Sequence, residues 1–421
     1  MIYAENEQGG LSTAQIKGCL ESSIKNRRLK KVLLIPPDIT RLNSGAGVIT
    51  ALLYDLLEGV HVDIMPALGT HAPMTREEEI AFFGGKIPAE RFLVHNWRTF
   101  VTKIGEVPGS FVGEVSGGIM DEDMDVQVSN YLLDPSYDLI LSIGQVVPHE
   151  VVGMANYTKN IVVGCGGSRF INQSHMLGAF YGLERLMGKD YSPVRKVFDY
   201  AEENFLSTLP IEYVLTVTVS EGERTDIIGL YIGKGREGFT RAVALSQKHN
   251  LIHLEAPLKK CVVWLDGREF RSTWLGNKAI YRTRMAMADG GELLILAPGV
   301  EKFGEDPEND RLIRKYGYIG RENILRLCKT EPELQNNLSA AAHLIHGSSD
   351  GRFRITYAAG KLRRAEVEGA AFGYIPFDEA VAVYDPKKLK TGLNEMPGGE
   401  EIFFIENPAL GLWTAPELLP L

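Results

Sequence analysis

Long apolar runs are missing from this chain of 421 residues. No stretch approaches the about 20 residues that a membrane-crossing helix needs, which sets aside membrane-spanning functions. The opening Met1-Ile2-Tyr3-Ala4-Glu5-Asn6 does not read as a signal peptide. Cysteine is scarce: Cys19, Cys165, Cys261 and Cys328 are scattered without paired spacing. That excludes a disulfide framework and a Cys-based metal site, and points to a reducing compartment, by default the cytoplasm. A basic excess is lacking too. The net charge of −9 argues against a nucleic-acid partner and an anionic membrane surface. With 44% hydrophobic and 24% charged residues, the chain reads as an ordinary globular protein long enough for two or three cores.

Chemistry gathers where short apolar runs end. Val32–Ile35 leads into Asp38-Ile39-Thr40-Arg41, and Val62–Met65 into Ala67-Leu68-Gly69-Thr70-His71-Ala72-Pro73-Met74-Thr75. Leu139–Gly144 leads into Pro148-His149, with Lys159 and His175 further on. Apolar runs of this length bounded by Pro, Gly and polar residues read as buried strands. Ligands in open α/β sheets sit just beyond the carboxyl ends of such strands. Asp38, Arg41, His71 and His149 are thereby expected to meet along one sheet edge. A lone histidine is commonly a hydrogen-bonded structural residue, and Lys159 is either a snorkelling surface lysine or an amine committed to chemistry. Ser44-Gly45-Ala46-Gly47 lies between a strand exit and a helix start, where an anion could bind, but a plain loop with an N-cap explains it equally well.

The motifs resemble the lactate racemase family, nickel-pincer-nucleotide-dependent 2-hydroxyacid racemases and epimerases. Asp38-Ile39-Thr40-Arg41 is similar to the family's Asp-His-Thr-Arg element, with Ile39 in place of His. Gly69-Thr70-His71-Ala72-Pro73-Met74-Thr75 matches its Gly-x-His-x-Pro-Met-Thr element. Lys159 follows His149 by ten residues and His175 follows Lys159 by sixteen, both as in the family. The motifs span about residues 32 to 180, and the C-terminal match is weaker.

The resemblance implies an isomerase. Its cofactor would be the nickel-pincer nucleotide, a pyridinium-3-thioamide-5-thiocarboxylic acid mononucleotide carrying Ni. The resemblance assigns Lys159 to covalent attachment and His175 to the open nickel position, a coordination that planar Ni(II) accepts from imidazole. It assigns His71 and His149 to proton transfer on the two substrate faces, a task suited to neutral imidazole near pH 7. Arg41 offers a fork for a substrate carboxylate, and Asp38 is assigned to the cofactor ribose or to orienting Arg41. Expected partners are a small 2-hydroxy acid and the cofactor-synthesis proteins that load the enzyme.

Departures bear on the substrate. The lactate-specific Tyr-Gln-x-x-Lys run reads here Tyr281-Arg282-Thr283-Arg284-Met285, and an Asp-Gln-Trp element is replaced by Asp350-Gly351-Arg352. Tyr281 and Arg282 would then face a substrate more anionic or more hydroxylated than lactate, unless Arg282 and Arg284 are solvent-facing helix charges.

Alternating strand and helix signals predict an α/β fold of two domains, 1–265 and 266–421, with the active site in the cleft between them. The pattern predicts a helix before Lys30, strands at 31–36, 61–65, 91–95 and 137–144, and helices near 47–58 and 75–84. It places helix 174–187 behind Ser174 as N-cap, with His175 in its first turn. Helices follow at 193–209, 239–249 and 276–289, with strands at 211–219, 226–232, 259–265 and 293–297. The last twenty residues, with Phe403-Phe404-Ile405 and Trp413, are expected to pack. Two other functions stay open. A nicotinamide-type dehydrogenase lacks a GxGxxG after any early strand. A metal hydrolase built on His71, His149 and His175 lacks paired carboxylates and leaves Lys159 unexplained.

Overall fold

The structure, a computed structural model, describes residues 1–221 and 224–416. The chain divides into two compact units, residues 1–178 with 186–250, and residues 179–185 with 251–421. Both are α/β.

The first unit is built on six strands: β1 (Ile2–Glu5), β2 (Lys31–Ile35), β3 (His61–Ile64), β4 (Leu139–Gln145), β5 (Ile211–Glu221) and β6 (Arg224–Gly233). Their order is β1-β6-β5-β4-β2-β3. Strands β3, β2, β4 and β5 run parallel, and β6 and β1 are antiparallel to their neighbours. The parallel strands are buried on both faces, so Val32, Leu33, Leu34 and Ile35 read as a continuous apolar run instead of alternating. One face packs on Leu20, Ile49 and Leu53. The other packs on Val162, Phe170 and Phe198. The helices there begin as their sequences require: Ser12 and Thr75 each form a capping box ahead of Thr13–Ile24 and Arg76–Phe83.

The second unit holds strands β7 (Leu258–Trp264), β8 (Met287–Ala297), β9 (Arg354–Ala359), β10 (Gly373–Tyr374), β11 (Gly392–Glu395) and β12 (Glu401–Ile405). Their order is β10-β9-β8-β7-β12-β11, parallel except for the edge hairpin β11/β12. Strand β7 is central here, which moves the expected boundary from 265 back to Asn250/Leu251. The chain's last stretch packs as expected, Leu412–Thr414 pairing with Leu251–His253; residues 417–421 lie outside the described ones.

Several expected elements change. Residues 91–95 form no strand; Phe92 makes a single bridge to Ile64. Helix 174–187 is instead Ser168–Tyr181, with Ser174 inside it and donating to the Ile171 carbonyl. The true start lies behind Gly166-Gly167, whose close approaches leave no room for a Cβ. Helix 276–289 stops at Thr283, and β8 begins at Met287. An antiparallel hairpin, Val101–Val107 with Met124–Ser129, is additional.

Candidate active site

The neighbouring parallel strands β2, β3 and β4 end at the same edge of the first sheet. The chain leaves β2 through Pro36-Pro37 to Asp38, leaves β3 through Pro66-Ala67 to His71, and leaves β4 for His149. A bridge between Pro37 and Ala67 keeps the first two exits side by side. His71 and Asp38, 33 residues apart, then meet: Nδ1 of His71 donates to the Asp38 carboxylate at 2.6 Å. Thr40 adds its backbone N–H at 3.1 Å and its hydroxyl to the same carboxylate. The His71 side chain is 54% exposed while that of Asp38 is 6% exposed, so the pair presents imidazole outward on a buried acid. Burial opposes the Asp38 charge, but the His71 and Thr40 hydrogen bonds and the Arg41 cation outweigh it and hold its pKa below the usual value. With Nδ1 committed, Nε2 of neutral His71 carries the lone pair.

His149 is held differently. It is buried, and its Nδ1 accepts the backbone N–H of Val151 at 3.1 Å. The neutral ring then carries its proton on Nε2. Burial holds its pKa well below the ordinary value, partly offset by Glu150 and reinforced by Lys159, Arg41 and His175. The Glu150 carboxylate stands 3.8 Å from Nδ1. Sequence reasoning passed over this residue although it sits inside the His149 motif.

Lys159 belongs to a short helix, Thr158–Val162. Asn160 pins that helix to the sheet by donating to the Ile35 carbonyl at 3.2 Å and the Ser142 hydroxyl at 2.9 Å. Behind it, the Gly164 carbonyl accepts the N–H of Gly69 from the His71 loop at 2.8 Å. The Lys159 amine is half-buried and has no hydrogen-bond or ion-pair partner among the described residues. Burial first, and the Arg41 cation second, lower its pKa to about 8. A lowered pKa leaves more free amine at neutral pH, the form that makes bonds. His175 lies in the middle of its helix, not in the first turn, and its Nδ1 donates to the Ile171 carbonyl at 2.6 Å. Burial and the nearby Lys159 push its pKa down to about 4, so the ring is neutral with its Nε2 lone pair available. A carbonyl on the far nitrogen is how proteins orient a metal-binding imidazole. Among the described residues no group of three or more His, Cys, Asp or Glu is placed to hold a metal ion. A hydrolase with a His cluster is left without its donor set. A metal that arrives with its own ligands and needs one imidazole fits what is there.

Arg41 is exposed, and no hydrogen bond or ion pair engages its guanidinium among the described residues. Its charge bears on Asp38, His149 and Lys159, which places it in the same cluster. Ser44–Gly47 is a packing feature: a Cβ on Gly47 would meet the Phe82 carbonyl at 2.0 Å, and one on Gly45 would meet Ile227 at 2.5 Å. The glycine loop at Gly233–Gly238 follows the antiparallel strand β6, which rules out the parallel unit a dinucleotide fingerprint needs.

Tyr281 and Arg282 lie in the second unit, on the helix Lys278–Thr283; Tyr281 is buried and Arg282 half-buried. Arg284 is no solvent-facing charge. It is 3% exposed and donates to Glu184 at 2.9 Å, Asp350 at 3.0 Å and the Ser348 carbonyl at 3.0 Å. Arg352 joins the same network through Glu184 at 2.7 Å and Asp289 at 2.9 Å. Met285 is fully buried. Arg284, Asp350 and Arg352 are therefore accounted for as structural ion pairs.

The chain is similar in sequence and fold to known proteins. Residues 11–182 match the family model of the lactate racemase N-terminal domain. No curated protein sequence matches the chain. A protein from Thermotoga maritima solved by structural genomics aligns with a TM-score of 0.80 at 25% identity, over 98% of this chain and 100% of its own. The lactate racemase apoprotein from Thermoanaerobacterium thermosaccharolyticum aligns with a TM-score of 0.70 at 14% identity, over 94% of this chain and 92% of its own. Among the described residues no helix is long and apolar enough to cross a membrane. Over residues 11–182 the chain is thus similar to the N-terminal domain of the lactate racemase family.

Proposed function

We propose that this protein is a racemase or epimerase that inverts C2 of a 2-hydroxy acid. Lys159 would hold the nickel-pincer nucleotide covalently, and Nε2 of His175 would fill the remaining nickel position. When bound, that group supplies a reversible hydride acceptor. The observation that carries the reading is the convergence at one sheet edge of the Asp38–His71 pair, His149, an unpartnered half-buried lysine amine and a neutral imidazole with a free Nε2.

The chain's own residues supply the proton chemistry. The Nε2 lone pair of His71 takes the proton of the substrate hydroxyl, and Asp38 stabilises the imidazolium that forms, as a positioning partner of the base. Arg41 receives the substrate carboxylate. His149, with its proton on Nε2, begins as a hydrogen-bond donor to the substrate oxygen. To act as a base on its own side the ring must present Nε2 bare, which means losing that proton to solvent and taking one up at Nδ1 in place of the Val151 bond; the negative Glu150 carboxylate, 3.8 Å from Nδ1, favours a proton there. The two half-reactions are therefore unequal. Four free cysteines fit a reducing compartment, and we place the enzyme in the cytoplasm.

The test is intact-mass and nickel analysis of protein made together with the cofactor-synthesis proteins. Wild type is expected to carry the adduct and nickel, and Lys159→Ala to lose covalent retention while staying folded. An adduct still attached in Lys159→Ala overturns the assignment. For the substrate, we propose 2-hydroxy acids with a second carboxylate or several hydroxyls over lactate, on the departure of Tyr281-Arg282 from the lactate-specific run in the sequence. Arg282→Gln is expected to weaken those substrates by about 1.5–3 kcal/mol, a lost charged hydrogen bond. Chiral chromatography across a panel of acids reads the outcome; a lactate preference indifferent to Arg282→Gln contradicts it.

A further inference from the structure

The segment that delivers Lys159 is backbone under strain. Asn156 has φ 67° and Tyr157 has φ 57° with ψ −135°, so two consecutive non-glycine residues sit in sparsely populated regions. Such residues are costly and persist only where surrounding contacts enforce them. Among those contacts, three carbonyls of the segment are held by one helix, Pro193–Ala201, and its N-cap. Its N-cap Ser192 donates to the Val152 carbonyl at 2.9 Å. Arg195 donates from one guanidinium nitrogen to the Met154 carbonyl at 2.7 Å and the Asn156 carbonyl at 3.3 Å.

Arg195 is fully buried. Its guanidinium lies 4.4 Å from the centroid of Phe239. Phe239 in turn stacks on Tyr157 at 5.1 Å, and Tyr157 meets Tyr213 at 4.5 Å. A buried cation is costly unless it is used. Here it holds two backbone oxygens of the arch, while Phe239 packs on both the guanidinium and the Tyr157 ring. Met154 and Asn156 are followed within three to five residues by Lys159.

We propose that Arg195 is a positioning residue: it clamps the 152–157 arch and thereby sets where the Lys159 amine stands. Its link to catalysis rests on Lys159 being the cofactor's attachment point; the clamp itself does not. Lysine in its place keeps a cationic donor but ends short of the one Arg195 nitrogen that makes both bonds. The test compares wild type, Arg195→Lys and Ser192→Ala by hydrogen-exchange mass spectrometry without cofactor, and by intact mass after production with the cofactor-synthesis proteins. In Arg195→Lys, exchange across residues 151–163 is expected to rise about tenfold while the rest of the first unit keeps wild-type protection. Adduct yield is expected to fall by a similar factor, with Ser192→Ala between the two proteins in both readouts. Unchanged exchange in 151–163, or a rise spread evenly over the unit, overturns the clamp. Faster local exchange with a wild-type adduct yield overturns its role toward Lys159. An absence of adduct in wild type counts against the cofactor reading alone, and the exchange data still decide on the clamp.

Discussion

His71 and His149 leave β3 and β4, the two strands that flank β2 in one sheet, yet their surroundings divide them. His71 is open to solvent and donates from Nδ1 to a buried carboxylate, which frees Nε2 as a base. His149 is buried and accepts a backbone N–H at Nδ1, which leaves Nε2 carrying the proton. The same residue type thus offers a lone pair at one exit and a proton at the other. The hydrogen bond on the far nitrogen decides which, and a motif match does not reveal it.

The comparison can be broken at its strongest point first. Replacing either histidine with Gln is expected to slow isomer interconversion by about 10²–10⁴, the usual contribution of a positioned acid or base, with nickel content intact. Nickel lost equally from His71→Gln, His149→Gln and His175→Gln would instead favour a shared metal cluster. Next, Asp38→Asn is expected to cost about 100-fold and to fall on the His71 side, because an amide nitrogen facing Nδ1 favours the wrong tautomer. Trapping the 2-keto acid formed from each isomer separates the half-reactions; equal losses from both isomers would show that the histidines share their partners. A smaller effect, about tenfold, is expected for Glu150→Gln and only on the His149 side, since it removes the negative charge that favours a proton on the His149 ring.

Stability gives the gentlest comparison. Burial lowers the pKa of His149, so the unfolded chain binds a proton near pH 6.5 that the folded chain refuses. Its contribution is present above that pH and is lost as the pH falls, at up to about 1.4 kcal/mol per pH unit. His175, pushed down to about 4, adds a loss of the same sign between pH 6.5 and 4. His149→Gln should flatten the fall in melting temperature of the cofactor-free protein between pH 7 and 5. His71→Gln should leave more of that slope in place. Parallel slopes in both variants would contradict the burial argument.

Much of this was legible in the sequence. Strands β2, β3 and β4 announce themselves because parallel strands buried on both faces must be continuously apolar. The positions of Asp38, His71, His149, Lys159 and His175 follow from motif spacing. Partnership was harder to read. The Asp38–His71 bond spans 33 residues and the Arg195 clamp reaches back 39 and 41, distances over which no local pattern operates. Ser174 looked like a helix cap because it is a small polar residue ahead of an apolar run, but the helix had already begun behind the glycine turn at 166–167. Arg284 looked like a surface charge because its partners Glu184 and Asp350 lie 100 and 66 residues away.

The unequal histidines can be observed directly by nitrogen–proton correlation NMR of protein carrying ¹⁵N-labelled histidine, with His71→Gln and His149→Gln assigning the signals. At neutral pH the account predicts His71 protonated on Nδ1 with a bare Nε2, and His149 protonated on Nε2 with a bare Nδ1. Finding both rings in one tautomer, or His149 protonated on Nδ1, would contradict it.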